Sequence, residues 1–153
     1  MHPFLLPGEW LVKGRFFDPD GGETVTTGAA VIKTTEQFPE ILQVAVELRE
    51  IGGRTPSQPQ STFYHLEIVG TSRVKFRMDS IALGTILVGE GSFTSQSLIL
   101  SYLSPDRRYV GFESFTVQSS SDVLACGSFI ADGAPVKTWE VGLESVPLRE
   151  RSE

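Results

Sequence analysis

Apolar and polar positions alternate with a period of two along most of the chain, the signature of β-strands with one buried face. From Glu9 to Phe17, Trp10, Val12, Gly14 and Phe16 fall on one face and Leu11, Lys13, Arg15 and Phe17 on the other. A turn-forming run, Asp18-Pro19-Asp20-Gly21-Gly22, separates this segment from the Thr- and Val-rich stretch Thr24 to Lys33. Glycine supplies the positive φ that tight hairpin turns require, so the chain opens with a predicted β-hairpin. Thr62–Val69, Arg73–Asp79, Ile81–Gly89, Ser97–Leu103, Tyr109–Gln118, Val123–Ala131 and Val136–Val146 continue the pattern, divided by Gly-, Ser-, Pro- and Asp-rich turns. Turn signals every about 8–12 residues are the rhythm of an all-β sandwich or barrel.

Residues 39–51 read two ways. As a helix, Pro39 occupies the first turn, Ile41, Val44, Ala45 and Leu48 share a face, and Gly52-Gly53 supplies the stop. As a strand, Leu42, Val44, Val46 and Leu48 alternate with Gln43, Ala45, Glu47 and Arg49. The strand is preferred because the helix turns Val46 toward its polar side. No repeat or domain boundary shows, so residues 1–153 are expected to form one domain, with 1–8 as a lead-in and 147–153 as a frayed tail. A meander of about eight to ten strands favours closure, which removes exposed sheet edges. The expected fold is therefore all-β: an antiparallel up-and-down barrel, with a short helix near 39–51 as the open variant.

Composition narrows the function. With 40% hydrophobic and 21% charged residues, the chain has the composition of a folded globular domain. A formal net charge of −6 argues against nucleic acid or an anionic membrane surface as partner. One cysteine, Cys126, excludes an internal disulfide, and with His2 and His65 as the only histidines no metal site is expected. No cofactor is implied. The short apolar patch Phe4-Leu5-Leu6 lacks the charged flank of a signal peptide, which makes a reducing, cytoplasmic setting the default expectation.

Gly8-Glu9-Trp10, opening the first strand, resembles the Gly-x-Trp motif of the calycins, the group of lipocalins and fatty-acid-binding proteins. The resemblance implies a calycin-like barrel in which Trp10 closes one end and a late arginine, Arg149 or Arg151, packs across the indole. The segments Gly89-Glu90-Gly91-Ser92 and Tyr109-Val110-Gly111-Phe112-Glu113-Ser114-Phe115 are similar to small barrels related to allene oxide cyclase, some of them enzymes. That resemblance makes Glu113 the residue of interest, since a carboxyl in an apolar barrel has a raised pKa and serves acid–base chemistry. The preferred reading of the residues alone is plainer: a solvent-facing carboxylate between two buried aromatics.

His65 shares a face with Phe63 and Glu67, opposite Tyr64 and Leu66. Facing the lumen, His65 and Glu67 would orient a ligand or move a proton; facing out, they are a solvated pair, the commoner case. Arg73, Lys75 and Arg77 form a basic stripe read as an outer face, Arg107-Arg108 lie in a turn, and Cys126 reads as an inert thiol. The leading function is binding of a small, largely apolar ligand inside the barrel, lined by Trp10, Phe16, Tyr64, Tyr102 and Trp139. The rival is acid–base catalysis, of isomerase or cyclase type, on a small carbonyl or unsaturated ligand by Glu113 and His65. A third class is an interaction or assembly module acting as a homodimer. The long Gly52–Gln60 loop is the expected entrance, at the end opposite Trp10.

Overall fold

The structure is a computed structural model that describes residues 1–52 and 58–147. A single-turn 3-10 helix, Pro3–Leu5, is followed by ten strands: β1 (Gly8–Phe17), β2 (Glu23–Lys33), β3 (Ile41–Glu50), β4 (Gln60–Val69), β5 (Arg73–Ser80), β6 (Thr85–Phe93), β7 (Ser97–Leu103), β8 (Tyr109–Val117), β9 (Asp122–Ala131) and β10 (Ala134–Ser145). Each strand pairs antiparallel with its neighbours in sequence, and β1 pairs with β10, Trp10 opposite Ser145 and Phe16 opposite Trp139. The sheet is thus a closed up-and-down barrel with no free edge.

The period-two pattern becomes an inside and an outside. Val12, Ala30, Val44, Leu66, Phe76, Leu98, Leu100 and Val141 are buried inward, while Leu11, Phe63, Ile99 and Phe112 are exposed on the outer wall. Segment 41–50 is strand β3, paired on both sides with β2 and β4, so the helical alternative is set aside. A helix there would have left two neighbouring strands with unpaired backbone. The expected start of β6 at Ile81 is corrected as well. Residues 81–84 form a turn with positive φ at Gly84, and Ile81 is 99% exposed.

The register sorts the loops to two ends. Turns 18–22, 81–84, 104–108 and 132–133 share one end, the mouth, with Gln58 and Pro59. At the other end, the floor, the first residues are a plug. Phe4 and Leu5 are almost fully buried, and His2 is 0% exposed. The His2 ring accepts from the Phe4 backbone N–H through Nδ1, and its Nε2 lies 3.2 Å from the Phe115 carbonyl oxygen. Burial lowers the His2 pKa below 6.5, which favours the neutral ring that this acceptor role needs. Phe4 stacks on Phe115 at 4.4 Å between centroids and lies 6.3 Å from Trp10. Trp10 helps close this end, as the calycin resemblance implies; Arg149 and Arg151 lie outside the described residues.

Candidate functional site

The site begins with how β8 meets its neighbours. Alternation from Phe115, packed on the floor plug, turns Glu113 and Gly111 inward too. Glu113 stands opposite Leu100 on β7 and Gly127 on β9, and Gly127 in turn stands opposite Trp139 on β10. A Cβ at residue 127 would collide with the Trp139 indole, so glycine lets the ring lie flat across the wall toward Glu113. The indole hydrogen-bonds the Glu113 carboxyl. Glycine at 111 does the same for Tyr102, whose ring covers the bare backbone.

Above this layer the aromatics meet one another. Gly89 lies between Phe76 and Tyr102 in the register, and the two rings stack over it at 4.5 Å. Tyr64 continues the row, 5.2 Å from Phe76, and Phe16 lies 6.0 Å from Trp139 across the β1–β10 seam. Phe16, Tyr64, Phe76, Tyr102 and Trp139 enclose with Glu113 an internal cavity of about 230 Å³, and Phe4 and Phe115 form its base. That is somewhat below the about 300–1,000 Å³ of drug-sized pockets, so the space suits a small molecule.

Glu113 is half-buried in the wall and keeps accessible surface where it borders this cavity. Desolvation pushes its pKa from 4.5 up to about 7, against the opposing hydrogen bond from Trp139. Burial, together with the nearby Glu113 charge, holds both Tyr64 and Tyr102 above the ordinary phenol range, so both stay neutral hydroxyls. The cavity thus joins apolar rings, two phenols and one carboxyl that titrates near neutrality. A group poised there can hold or exchange a proton, or anchor a donor.

Four of the five residues expected to line the lumen do so: Phe16, Tyr64, Tyr102 and Trp139. Trp10 points inward but belongs to the floor packing rather than to the cavity lining. Glu113 corrects the preferred reading of an exposed carboxylate. Phe112 is the residue that faces out, 48% exposed, and the neighbour buried in its place is Gly111. His65 is an exposed outer-wall residue and takes no part in the lumen. It borders a separate outer groove of about 730 Å³ with Glu67, Lys75, Arg77, Glu90 and Phe38. That groove is larger but carries solvated charges, two of them already in exposed ion pairs, Arg73–Glu90 and Arg77–Asp79. The lumen is the better candidate because its polar group is desolvated and its walls are apolar.

Phe4 was not expected at the site, and neither were the inward glycines. A glycine at an inward position of an otherwise strand-forming run is a sequence signal for the close approach of a large ring. Cys126 sits half-buried on the wall, with its thiol pKa raised by burial and by Glu140, as suits an inert thiol. No group of three or more metal-ligating side chains occurs among the described residues. No helix among them is long and apolar enough to cross a membrane.

No family model matches the chain, and no curated protein matches it in sequence. Solved structures match its fold. The S-type phycobiliprotein lyase CPES from Guillardia theta superposes with a TM-score of 0.66 at 15% identity, covering 92% of this chain and 88% of that one. Rv2717c from M. tuberculosis gives a TM-score of 0.68 at 14% identity, covering 93% of each chain. At such identities these likenesses speak for the fold alone, a closed antiparallel barrel.

Proposed function

We propose that this barrel binds a small, largely apolar ligand in its lumen, with Glu113 as the polar anchor. The observation that carries the reading is the cavity itself: about 230 Å³ of space, walled by aromatic rings, around one desolvated carboxyl. A core evolved only for packing gains nothing from an ionisable group at its centre, since its ionised form is costly to bury. Trp139 reports on the site directly, because its indole lines the cavity. In a Trp10→Phe variant only that indole emits, and titration with 1-naphthalenemethanol is expected to change its fluorescence saturably. Filling the lumen by Ala125→Phe is expected to abolish the change. A response that never saturates, or that survives Ala125→Phe in a folded protein, would count against lumen binding.

The position of Glu113 favours a second reading, acid–base catalysis on the bound ligand. A carboxyl with a pKa of about 7 serves as acid and as base at neutral pH, and Tyr64 and Tyr102 are neutral donors beside it. Glu113 would remove a proton α to a carbonyl and return it to another position of the same molecule. This reading requires that the protein accelerate α-proton exchange of a ketone such as 2-indanone in D₂O, and that Glu113→Gln abolish the acceleration. Exchange at the buffer rate with wild-type protein would leave binding as the function.

A further inference from the structure

Resting on the lumen reading, we infer that the cavity selects apolar organic cations, amines carried on a compact aromatic or alicyclic body, over carboxylates of the same shape. The ionisable side chains along the cavity are Glu113, Tyr64 and Tyr102, and no Lys, Arg or His lines it among the described residues. Every charge the lining can acquire is therefore negative. Trp139 offers the Glu113 carboxyl one N–H, whereas a carboxylate has about four acceptor sites, so most of its hydrogen-bonding capacity is open to a ligand. An ammonium group would complete the pair inside a low-dielectric space, where an unpaired carboxylate is costly.

The surrounding rings act in the same direction. Phe16, Tyr64, Phe76, Tyr102 and Trp139 present aromatic surface on several sides of the carboxyl, and aromatic faces attract cations. A carboxylate ligand meets the opposite environment: a like charge, no cation in the wall, and faces of negative quadrupole. Cationic side chains stand at the mouth. Lys137 Nζ lies 5.7 Å over the Phe16 ring, and Arg49 and Glu50 line the same rim with Gln58–Gln60. An acid held by its head group at Lys137, with its body in the lumen, is the competing occupant.

The test uses three probes with one ring system, 1-naphthylmethylamine, 1-naphthalenemethanol and 1-naphthoic acid, titrated into the intact protein by calorimetry. The amine is expected to bind at least about tenfold more tightly than the alcohol at pH 8, a difference typical of one charge-assisted contact. Its affinity is expected to fall to near the alcohol's level between pH 8 and pH 5.5, about sevenfold for a tenfold preference, as a carboxyl of pKa about 7 takes up its proton. Alcohol binding should stay nearly flat with pH, and the acid should bind most weakly. Glu113→Gln should bring the amine down to the level of the alcohol, whereas Lys137→Gln should leave it unchanged. An acid bound as tightly as the amine, or amine binding indifferent to pH, would overturn the inference, and both are read on wild-type protein alone. If neither the amine nor the alcohol binds, the lumen reading itself fails. Binding of the alcohol without preference for the amine removes only the cation selectivity.

Discussion

At the scale of single residues, Glu113 couples the barrel to pH. Its pKa is about 7 in the folded chain and near 4.5 once solvated, so between these values the folded state binds the extra proton. Stability due to this group therefore falls as pH rises through the window, by roughly 3 kcal/mol in all. Glu113→Gln is expected to be close to neutral at pH 4.5 and stabilising at pH 8, measured by urea denaturation at both. His2 works in the opposite sense. Its folded pKa lies below 6.5, so the unfolded chain takes up the proton first and stability is lost as pH falls. The glycines make a second prediction at this scale. Gly111→Ala pushes a methyl group into the Tyr102 ring and should cost about 1–3 kcal/mol, the range for overpacked cores, with the same assay as readout. Glu113 was hard to place from sequence for a local reason. Phe112 and Phe115 are three apart, so one strand cannot bury both, and the larger apolar neighbour drew the assignment away from Gly111.

Elements were more legible where turn chemistry was explicit. Asp18-Pro19-Asp20-Gly21-Gly22 closes the first hairpin, with the Gly21 N–H donating to the Asp18 carbonyl and positive φ at Gly21. Segment 41–50 needed its partners to decide, because local spacing fits helix and strand and only the paired backbones of β2 and β4 exclude one. The N-terminal turn was the least legible element. Phe4-Leu5-Leu6 carries no period, and its role as a plug depends on Phe115, distant in sequence and present on another strand. Phe4→Ala removes a fully buried ring from the cavity base and is expected to destabilise by about 3–5 kcal/mol in chemical denaturation. A change below about 1 kcal/mol would mean that the plug is not packed as described.

For the whole molecule, closure followed from strand count, since turn rhythm indicated a long meander and a long meander is rid of its edges by joining first strand to last. What the rhythm did not convey was whether the interior is filled. That depends on three inward glycines coinciding in register with Trp139, Tyr102 and Phe76, a property of the closed sheet rather than of any strand. The two ends differ: a plug seals the floor, while Gln58 and Pro59 lie at the mouth, where Phe16, Leu48 and Thr62 border both the rim and the lumen. Residues 53–57 of the expected entrance loop lie outside the described residues. Native-state hydrogen exchange is expected to be faster at Gln58 than at Asp18 and Gly21, whose amides are bonded within the 18–22 turn at the same end.

Methyl-resolved NMR with 1-naphthalenemethanol tests lumen binding most directly, because methyl groups mark both concavities. Val12, Ala30, Val46, Met78, Ala125 and Val141 line the lumen, whereas Ile41 and Val88 line the outer groove. Saturable shifts centred on the lumen methyls, with Ile41 and Val88 unmoved, are the expected result. Shifts confined to Ile41 and Val88, or no shifts at saturating probe, would contradict a ligand-binding lumen.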